Sequence, residues 1–365
     1  MKNTFGNNIS LTLFGESHGD AIGCVIDGLP AGVEVSGDDI AHALDLRRPS
    51  GKISTSRVEH DEFKILSGVF NGKTTGTPIC ICIPNADTRS KDYTPSIIRP
   101  GHADFTAYEK YHGFQDYRGG GHFSGRLTAP LVCAGAIIAG SLKKKGIYIG
   151  THLLRCADES DRAFENYEDD IERLSSISFP VLDEAAGEKM KAEIEKAKLE
   201  GDSVGGVLET CVIGLPTGLG EPWFDTVEGV LSHALFSIPA IKGVEFGLGF
   251  ALSDMRGSEA NDAFCVGGGK IQTRTNNCGG ILGGITDGMP LIIRTAVKPT
   301  PTINKSQQTV DYLKREQTEI SSVGRHDPCV AHRARAAVDA VTALVIADLY
   351  AARYGTEGLI SEEHE

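Results

Sequence analysis

Two rhythms of apolar residues alternate along the chain, and the alternation occurs twice. Short β-branched runs closed by Gly and Pro read as strands, and longer stretches with apolar residues at helical spacing read as helices. "CVIDGLPAG" from Cys24 is echoed by "CVIGLPTG" from Cys211. The first leads into a helical pattern opened by a capping box over Ser36-Gly-Asp-Asp39, the second into "FDTVEGVLSHALFSIP". "NGKTTGTPICICIPN" from Asn71 is echoed by "DGMPLIIRTAVKPT" from Asp287: a turn, a proline, a β-branched run and a second proline. Each half then reaches a Gly-rich or charged loop that opens a long apolar helix, Gly121 to Leu142 and Arg325 to Tyr350. The recurring order strand–helix–strand–loop–helix predicts an internal pseudo-repeat. Between the halves lies an acidic region. Its stretch "DEAAGEKMKAEIEKAKLEGD" pairs Glu188 with Lys191, Glu193 with Lys196 and Glu195 with Lys198. It predicts a solvent-facing helix ending at Gly201.

Composition removes several function classes. The chain has 365 residues, 40% hydrophobic and 23% charged, the balance of a protein that buries a core. A formal net charge of −13 argues against nucleic acid or anionic lipid as partner. "MKNTFGNNIS" has no apolar core of a secretory leader, and "APLVCAGAIIAG" is too short to span a bilayer, so it reads as a buried helix. Nine cysteines without a paired framework point to reduced thiols in the cytoplasm, and no ligand spacing suggests a metal. Glycine, at 44 residues, clusters in "RGGGHFSG", "VGGGK" and "CGGILGGITDG". Two glycine motifs fail on inspection: "GVFNGKT" lacks a residue of the phosphate-binding loop and runs on into a strand, and "GLGFAL" lacks the third glycine of the dinucleotide fingerprint.

Gly15-Glu16-Ser17-His18-Gly19 satisfies the G-x-S-x-G pattern of a nucleophile elbow. An elbow needs a helix after the serine, whereas "GDAIGCVIDGLPAG" predicts a strand and a turn, so a serine hydrolase is disfavoured. The unusual loops share a different feature, arginine beside glycine or histidine: Arg47 and Arg48 in "LRRPSG", Arg99 and His102 in "RPGHAD", His122, Ser124 and Arg126 in "GGHFSGR", and Arg325 and Asp327 in "GRHDP". A guanidinium meets carboxylate or phosphate through two parallel hydrogen bonds. Five such arginines, if they converge, call for a small ligand with several acidic groups.

The stretches "GESHGDAIGCVIDGLP", "GGGHFSGRLTAPLVCAGAI" and "RHDPCVAHRARAAVDAV" resemble the three signature blocks of the chorismate synthase family. "RPGHADF", "DYRGGG", "GGILGGI" and "KPTPTI" resemble its connecting motifs, in the same order, from Gly6 to about Tyr350. The resemblance implies an α+β fold: a β-α-β sandwich with helices packed between antiparallel sheets. It implies one domain over 1–365, with pseudo-repeat halves at about 8–150 and 203–353 and an acidic helical insertion at about 157–202. It further implies conversion of 5-enolpyruvylshikimate 3-phosphate to chorismate and phosphate, the last step of the shikimate pathway. That reaction requires reduced FMN without net redox change, and the family's form is a homotetramer. The ligand carries one phosphate and two carboxylates, as the arginines would require.

Carried over by position, the resemblance implies that His18 protonates the leaving phosphate and His102 sits by the reduced flavin. Asp327 is implied to work in removing the ring proton, and Ser17 and Ser124 to place these groups. Arg47, Arg48, Arg99, Arg126 and Arg325 are the implied substrate clamps. FMN contacts are implied at His122, Phe123, Ser124, Pro239, Ala240, Gly283, Lys298, Pro299, Thr300, Pro301, Thr302 and Arg325. For the reductant two alternatives stay open: NADPH at this chain, with Arg47 its candidate contact, or an external reductase. His122-Phe123 replaces a family Arg-Ser, Lys52 stands where arginine is frequent, and His332 and Asp339 replace proline and glutamate in what reads as variation near helix ends. Another flavin-dependent enzyme acting on a small polyanion, and a non-catalytic polyanion-binding protein, are the remaining alternatives.

Overall fold

In the computed structural model, which describes residues 2–49, 51–55, 61–85, 96–321 and 327–360, the chain opens with β1 (Thr4–Phe5), β2 (Ser10–Gly15) and β3 (Ala21–Asp27). After α1 (Gly37–Arg47) come β4 (Lys64–Ser67), the small hairpin β5 (Val69–Phe70) and β6 (Lys73–Thr74), and β7 (Ile79–Pro84). A short α2 (Asp104–Tyr111) and two 3-10 segments, Arg118–Phe123 and Gly125–Leu127, lead into α3 (Thr128–Lys144). The second part runs β8 (Tyr148–Cys156), β9 (Glu159–Ser160), α4 (Tyr167–Ser176), α5 (Glu184–Leu199), β10 (Gly206–Ile213), α6 (Val227–Leu235) and β11 (Ile241–Phe246). Then follow α7 (Gly257–Ala260), the hairpins β12 (Phe264–Gly267) with β13 (Lys270–Thr273) and β14 (Ile281–Leu282) with β15 (Ile285–Thr286), and β16 (Leu291–Val297). The hairpin β17 (Gln307–Asp311) with β18 (Glu316–Ile320) and the long α8 (Ala331–Tyr354) complete it.

The strands form two five-stranded antiparallel sheets, ordered β1-β2-β3-β7-β4 and β9-β8-β10-β16-β11. Written this way, β2, β3, β7 and β4 stand in the same order as β8, β10, β16 and β11. The helices correspond too, α1 with α6 and α3 with α8. The sequence echo falls on this correspondence, since Cys24 lies in β3 and Cys211 in β10. The α+β sandwich with an internal pseudo-repeat is therefore the observed architecture.

Helices fill the space between the sheets because each must bury an apolar stripe. α3 packs on β3 and β7, α8 packs on β8 and β10, and the two helices pack on each other. They come so close that a Cβ on Gly135 would lie 2.3 Å from the Ala340 Cβ. α1 begins as expected, with Ser36 Oγ accepting a hydrogen bond from the Asp39 N–H at 3.1 Å. Gly125–Lys144 is the one segment among the described residues with the length and hydropathy to cross a membrane, and 78% of its apolar window is buried inside the fold.

Four expectations need correction. The helix expected from Gly121 begins at Thr128, because Gly119, Gly120 and Gly121 take φ of 59°, 83° and 53°, which no right-handed helix accommodates. α5 is not purely solvent-facing, for Ala186, Met190, Ile194 and Ala197 bury one side. Of its three expected ion pairs, Glu188–Lys191 and Glu193–Lys196 form, at 2.8 and 3.6 Å. Lys198 instead donates to the carbonyls of Lys52 and Ser54 at 2.6 and 3.0 Å, where a fixed backbone acceptor competes with a mobile carboxylate. Asp339 lies well inside α8 rather than near its end, and accepts a hydrogen bond from Thr151 at 2.6 Å.

The N-terminus is tied to α8 by one carboxylate. Asp348 accepts from the backbone N–H groups of Asn7, Asn8 and Ile9 at 3.0, 2.6 and 2.9 Å. Removing it leaves these donors without that acceptor, one of them on fully buried Ile9. Asp348→Ala is expected to cost roughly 3 kcal/mol and to lower the melting temperature by about 4 °C. Calorimetry that finds no change would mean that water replaces the carboxylate.

Candidate functional site

Ser17 and His18 lie in the tight connection between β2 and β3, so a strand and not a helix follows the serine. The nucleophile-elbow geometry is absent. The connection instead docks on the triple-glycine turn: Ser17 N–H donates to the Gly121 carbonyl at 3.1 Å, and the His122 Nδ1 lies 2.8 Å from the Gly15 carbonyl oxygen.

Glycine is required here by two of its neighbours. A Cβ on Gly119 would fall 2.2 Å from His18 Cε1, 2.3 Å from its Nδ1 and 2.9 Å from Ser17 Oγ. A Cβ on Gly120 would sit 3.2 Å from both His102 Cε1 and Nε2, and 3.9 Å from the Ser124 Cβ. Consecutive residues of one turn thus seat both histidines and both serines of the sequence expectation. His18 and Ser17 are buried. Ser17 Oγ has no hydrogen-bond partner among the described residues.

His102 is held from its other edge. Its Nδ1 lies 2.8 Å from Asp104 Oδ1, and Arg99 grips the same carboxylate through Nη2 at 2.7 Å, Nε at 2.8 Å and its backbone N–H at 3.0 Å. Burial alone would raise the Asp104 carboxyl, but the bonds from Arg99 and His102 outweigh it and hold it well below the usual carboxylate range. Arg99 is therefore engaged with a carboxylate of its own loop.

Arg47 and Arg126 converge, and they do so on the protein's own charge. Asp61, whose side chain is fully buried, accepts from Arg47 Nη1 at 3.0 Å and, through its other oxygen, from Arg126 Nη1. Arg47 also donates to Thr128 Oγ1 at 2.9 Å and the Gly125 carbonyl at 3.2 Å. Arg126 donates through Nε to Asn85 Oδ1 at 3.2 Å, and the Asn85 amide donates to the Glu16 and Gly19 carbonyls at 2.9 and 2.8 Å. Asn85 thus couples the Ser17-His18 turn to Arg126. Arg48 lies nearer the surface, paired with Asp45. Each of the four described arginines thus has a carboxylate partner within the protein: Asp61 for Arg47 and Arg126, Asp45 for Arg48 and Asp104 for Arg99.

Asp327 joins the same network. One of its oxygens accepts from Arg333 Nη1, and Arg333 Nε donates to the Arg47 carbonyl at 2.9 Å. The other oxygen, Oδ1, is buried and has no partner among the described residues. Arg325 lies outside the described residues.

The residues expected at a flavin divide into two groups. Lys298 Nζ donates to the Gly101 carbonyl, and Pro301 packs on Gly101, so the "KPTPT" turn adjoins the His102 loop. Lys298 N–H also donates to the Ala240 carbonyl at 2.9 Å, bringing Pro239 and Ala240 to the same turn as Pro299 and Thr302. Thr300 Oγ1 is buried without a partner among the described residues. Gly283 is apart: it sits in the β14–β15 hairpin, whose Gly284 carbonyl accepts from Val227 N–H at the start of α6. Ala240 follows the far end of that nine-residue helix, about 13 Å away along its axis. His122 is turned onto the Gly15 carbonyl, and the half-exposed Phe123 ring meets Tyr111 edge-on at 6.1 Å.

Sequence reasoning missed Asp61, Asn85, Asp104 and Arg333. Only Asp104 carried a signal, two residues from a histidine and five from an arginine. Among the described residues no cluster suited to a metal ion is found.

The assembled site offers two imidazoles on one glycine turn, with guanidiniums and the Asp327 carboxylate joined to it through Arg126, Asp61, Arg47 and Arg333. Comparison with known proteins gives this arrangement a context. The family model described as chorismate synthase matches residues 9–351. A chorismate synthase of Dehalococcoides mccartyi is 49% identical, covering 96% of both chains. One from Thermococcus kodakarensis is 46% identical, covering 97% of this chain and 99% of the relative. A solved structure described as the crystal structure of chorismate synthase superposes with a TM-score of 0.76 at 29% identity, covering 97% of this chain and 96% of that one. By sequence, over nearly its whole length, and by fold, this chain belongs to the chorismate synthase family.

Proposed function

We propose that this chain converts 5-enolpyruvylshikimate 3-phosphate to chorismate and phosphate by anti-1,4-elimination, a carbon–oxygen lyase reaction that requires reduced FMN and makes no net redox change. The observation that carries the reading is the glycine turn on which His18 and His102 are both seated, Gly119 against one ring and Gly120 against the other.

The substrate carries a phosphate and two carboxylates, and the guanidiniums of Arg47, Arg48, Arg99 and Arg126 supply the opposing charge. Their fixed carboxylate partners set their geometry before the ligand arrives, which limits the ordering cost of binding. His18 is the proton donor to the departing phosphate, a role an imidazole fills through a positioned ring N–H. The open oxygen of Asp327 is the acceptor on the path of the ring proton. Ser17 and Ser124 line the turn between these groups.

The residues present fit a flavin mononucleotide. Lys298 and the Thr300 hydroxyl, which has no partner among the described residues, provide for an anionic end beside the His102 loop. When bound, the reduced flavin supplies electron density as phosphate departs and takes it back as the proton leaves. NADPH as reductant at Arg47 requires that guanidinium to give up part of its hold on Asp61. By family likeness we propose a homotetramer working in the cytoplasm. The exposed Phe264, Val266 and Ile271 of the β12–β13 hairpin support association between copies.

The test is anaerobic. Purified chain mixed with chemically reduced FMN and 5-enolpyruvylshikimate 3-phosphate is expected to release chorismate and phosphate in equal amounts, and oxidised FMN is expected to support neither. Folded protein that yields no chorismate would end this reading in favour of another flavin-dependent reaction on a small polyanion.

A further inference from the structure

We propose that Asp104 is a positioning residue that fixes the tautomer of His102, holding the proton on Nδ1 and presenting a bare Nε2 to the glycine turn. The inference rests on the reading above only in assigning His102 a part in the reaction.

The Asp104 carboxylate is kept ionised by the Arg99 guanidinium and by its hydrogen bonds to Arg99 and His102, so it can only accept hydrogen bonds. Its Oδ1 lies 2.8 Å from His102 Nδ1. If Nδ1 carried a lone pair, two lone pairs would face each other at that distance, and the ring would turn away. Nδ1 must therefore carry a hydrogen. Arg99 Nη2 lies 3.1 Å from the same Nδ1 and 2.7 Å from the same Oδ1. Two donors thus share one acceptor, and the contact between Arg99 and His102 is not a bond of its own.

The opposite edge of the ring is aimed by the backbone. Nε2 and Cε1 face Gly120, where even a methyl group would stand only 3.2 Å away. The loop that carries the ring is closed on itself and on its surroundings: His102 N–H donates to the Arg99 carbonyl at 3.2 Å, and Lys298 reaches the Gly101 carbonyl. Asp104 is also the first residue of α2, so the orienting group rides on a helix and not on a mobile loop tip. The neutral imidazole then has one job at Nδ1 and leaves Nε2 to accept a proton or a hydrogen bond in the site. The carboxylate also stabilises the imidazolium form should Nε2 gain a proton.

The experiment reads the tautomer directly. In the full-length chain carrying nitrogen-15 histidine, with the His102 signal assigned by its loss in His102→Gln, neutral His102 is expected to be protonated at Nδ1. In Asp104→Asn the amide oxygen turns to Arg99 and the amide nitrogen donates to Nδ1, so the proton is expected to move to Nε2. With it kcat is expected to fall by about 10²-fold while KM stays within about threefold, and Asp104→Glu is expected to recover part of the loss. Wild-type His102 protonated at Nε2 would overturn the proposal, and so would full kcat in Asp104→Asn. A group that only braces the loop would lower stability and raise KM without moving the proton. If the wild-type chain makes no chorismate, the functional reading falls, while the tautomer in the wild-type chain still decides the role of Asp104.

Discussion

Gly119→Ala is expected to lower kcat by on the order of 10²-fold while the protein stays folded. The added methyl would lie 2.2 and 2.3 Å from two atoms of the His18 ring, well inside van der Waals contact, and 2.9 Å from Ser17 Oγ. His18 is buried, so its ring cannot swing aside into solvent. The residue also holds φ of 59°, where an alanine costs roughly 1–2 kcal/mol in any surroundings. The turn must shift or the ring must leave its seat, and either displaces the group proposed to protonate the leaving phosphate. Gly120→Ala provides the contrast. Its methyl would meet His102 at 3.2 Å, a distance that a few tenths of an ångström of movement relieves. Its expected loss is about tenfold. Steady-state kinetics on the two variants, with melting curves alongside, separates these cases. Equal, near-wild-type rates would remove His18 from the mechanism at the position described.

Asp61→Asn is expected to have the largest effect on stability, roughly 3–5 kcal/mol. Its carboxylate is the charge shared by Arg47 and Arg126, and both guanidiniums are buried. An amide of the same shape offers one acceptor oxygen in place of two and no charge, so two cations are left facing each other. Denaturant unfolding should show the midpoint falling with an unchanged slope. Substrate binding should weaken in the same variant, because Arg126 also connects through Asn85 to the turn bearing His18. A midpoint within error of the wild type would mean that water or another anion serves the arginines equally well.

Three glycines in a row mark a backbone that no side chain tolerates, and the candidate histidines and arginines could be named from the loops around them. That Gly119 and Gly120 meet the rings of His18 and His102 was not legible. The strands were legible from their β-branched runs between Gly and Pro, and α3 from its apolar length. Asp61 was not, because "VEHDEFK" reads locally as a charged surface and only the tertiary fold buries its one central carboxylate. Asp104 and Asn85 escaped for a related reason. Their importance lies in which atoms they meet, and Asn85 meets residues some 40 and 70 positions away in the chain. The beginning of α3 was misplaced because helical spacing of apolar residues continues through a turn whose glycines are not helical.

The tie between Asp348 and residues 7–9 has a consequence for how the protein is made. It joins groups 339 to 341 positions apart, nearly the two ends of the chain. At ordinary elongation rates the carboxylate is synthesised about 20–70 s after the amides it will hold. During that interval the first sheet and α3 are already complete in sequence, but the face of α3 that receives Ala340 at Gly135 has nothing to cover it. The newborn first half is therefore an apolar surface waiting for the last helix. Yield in rapid expression should be limited by how long that surface stays soluble, and slowing translation or supplying a chaperone should raise it without changing the stability of the finished protein.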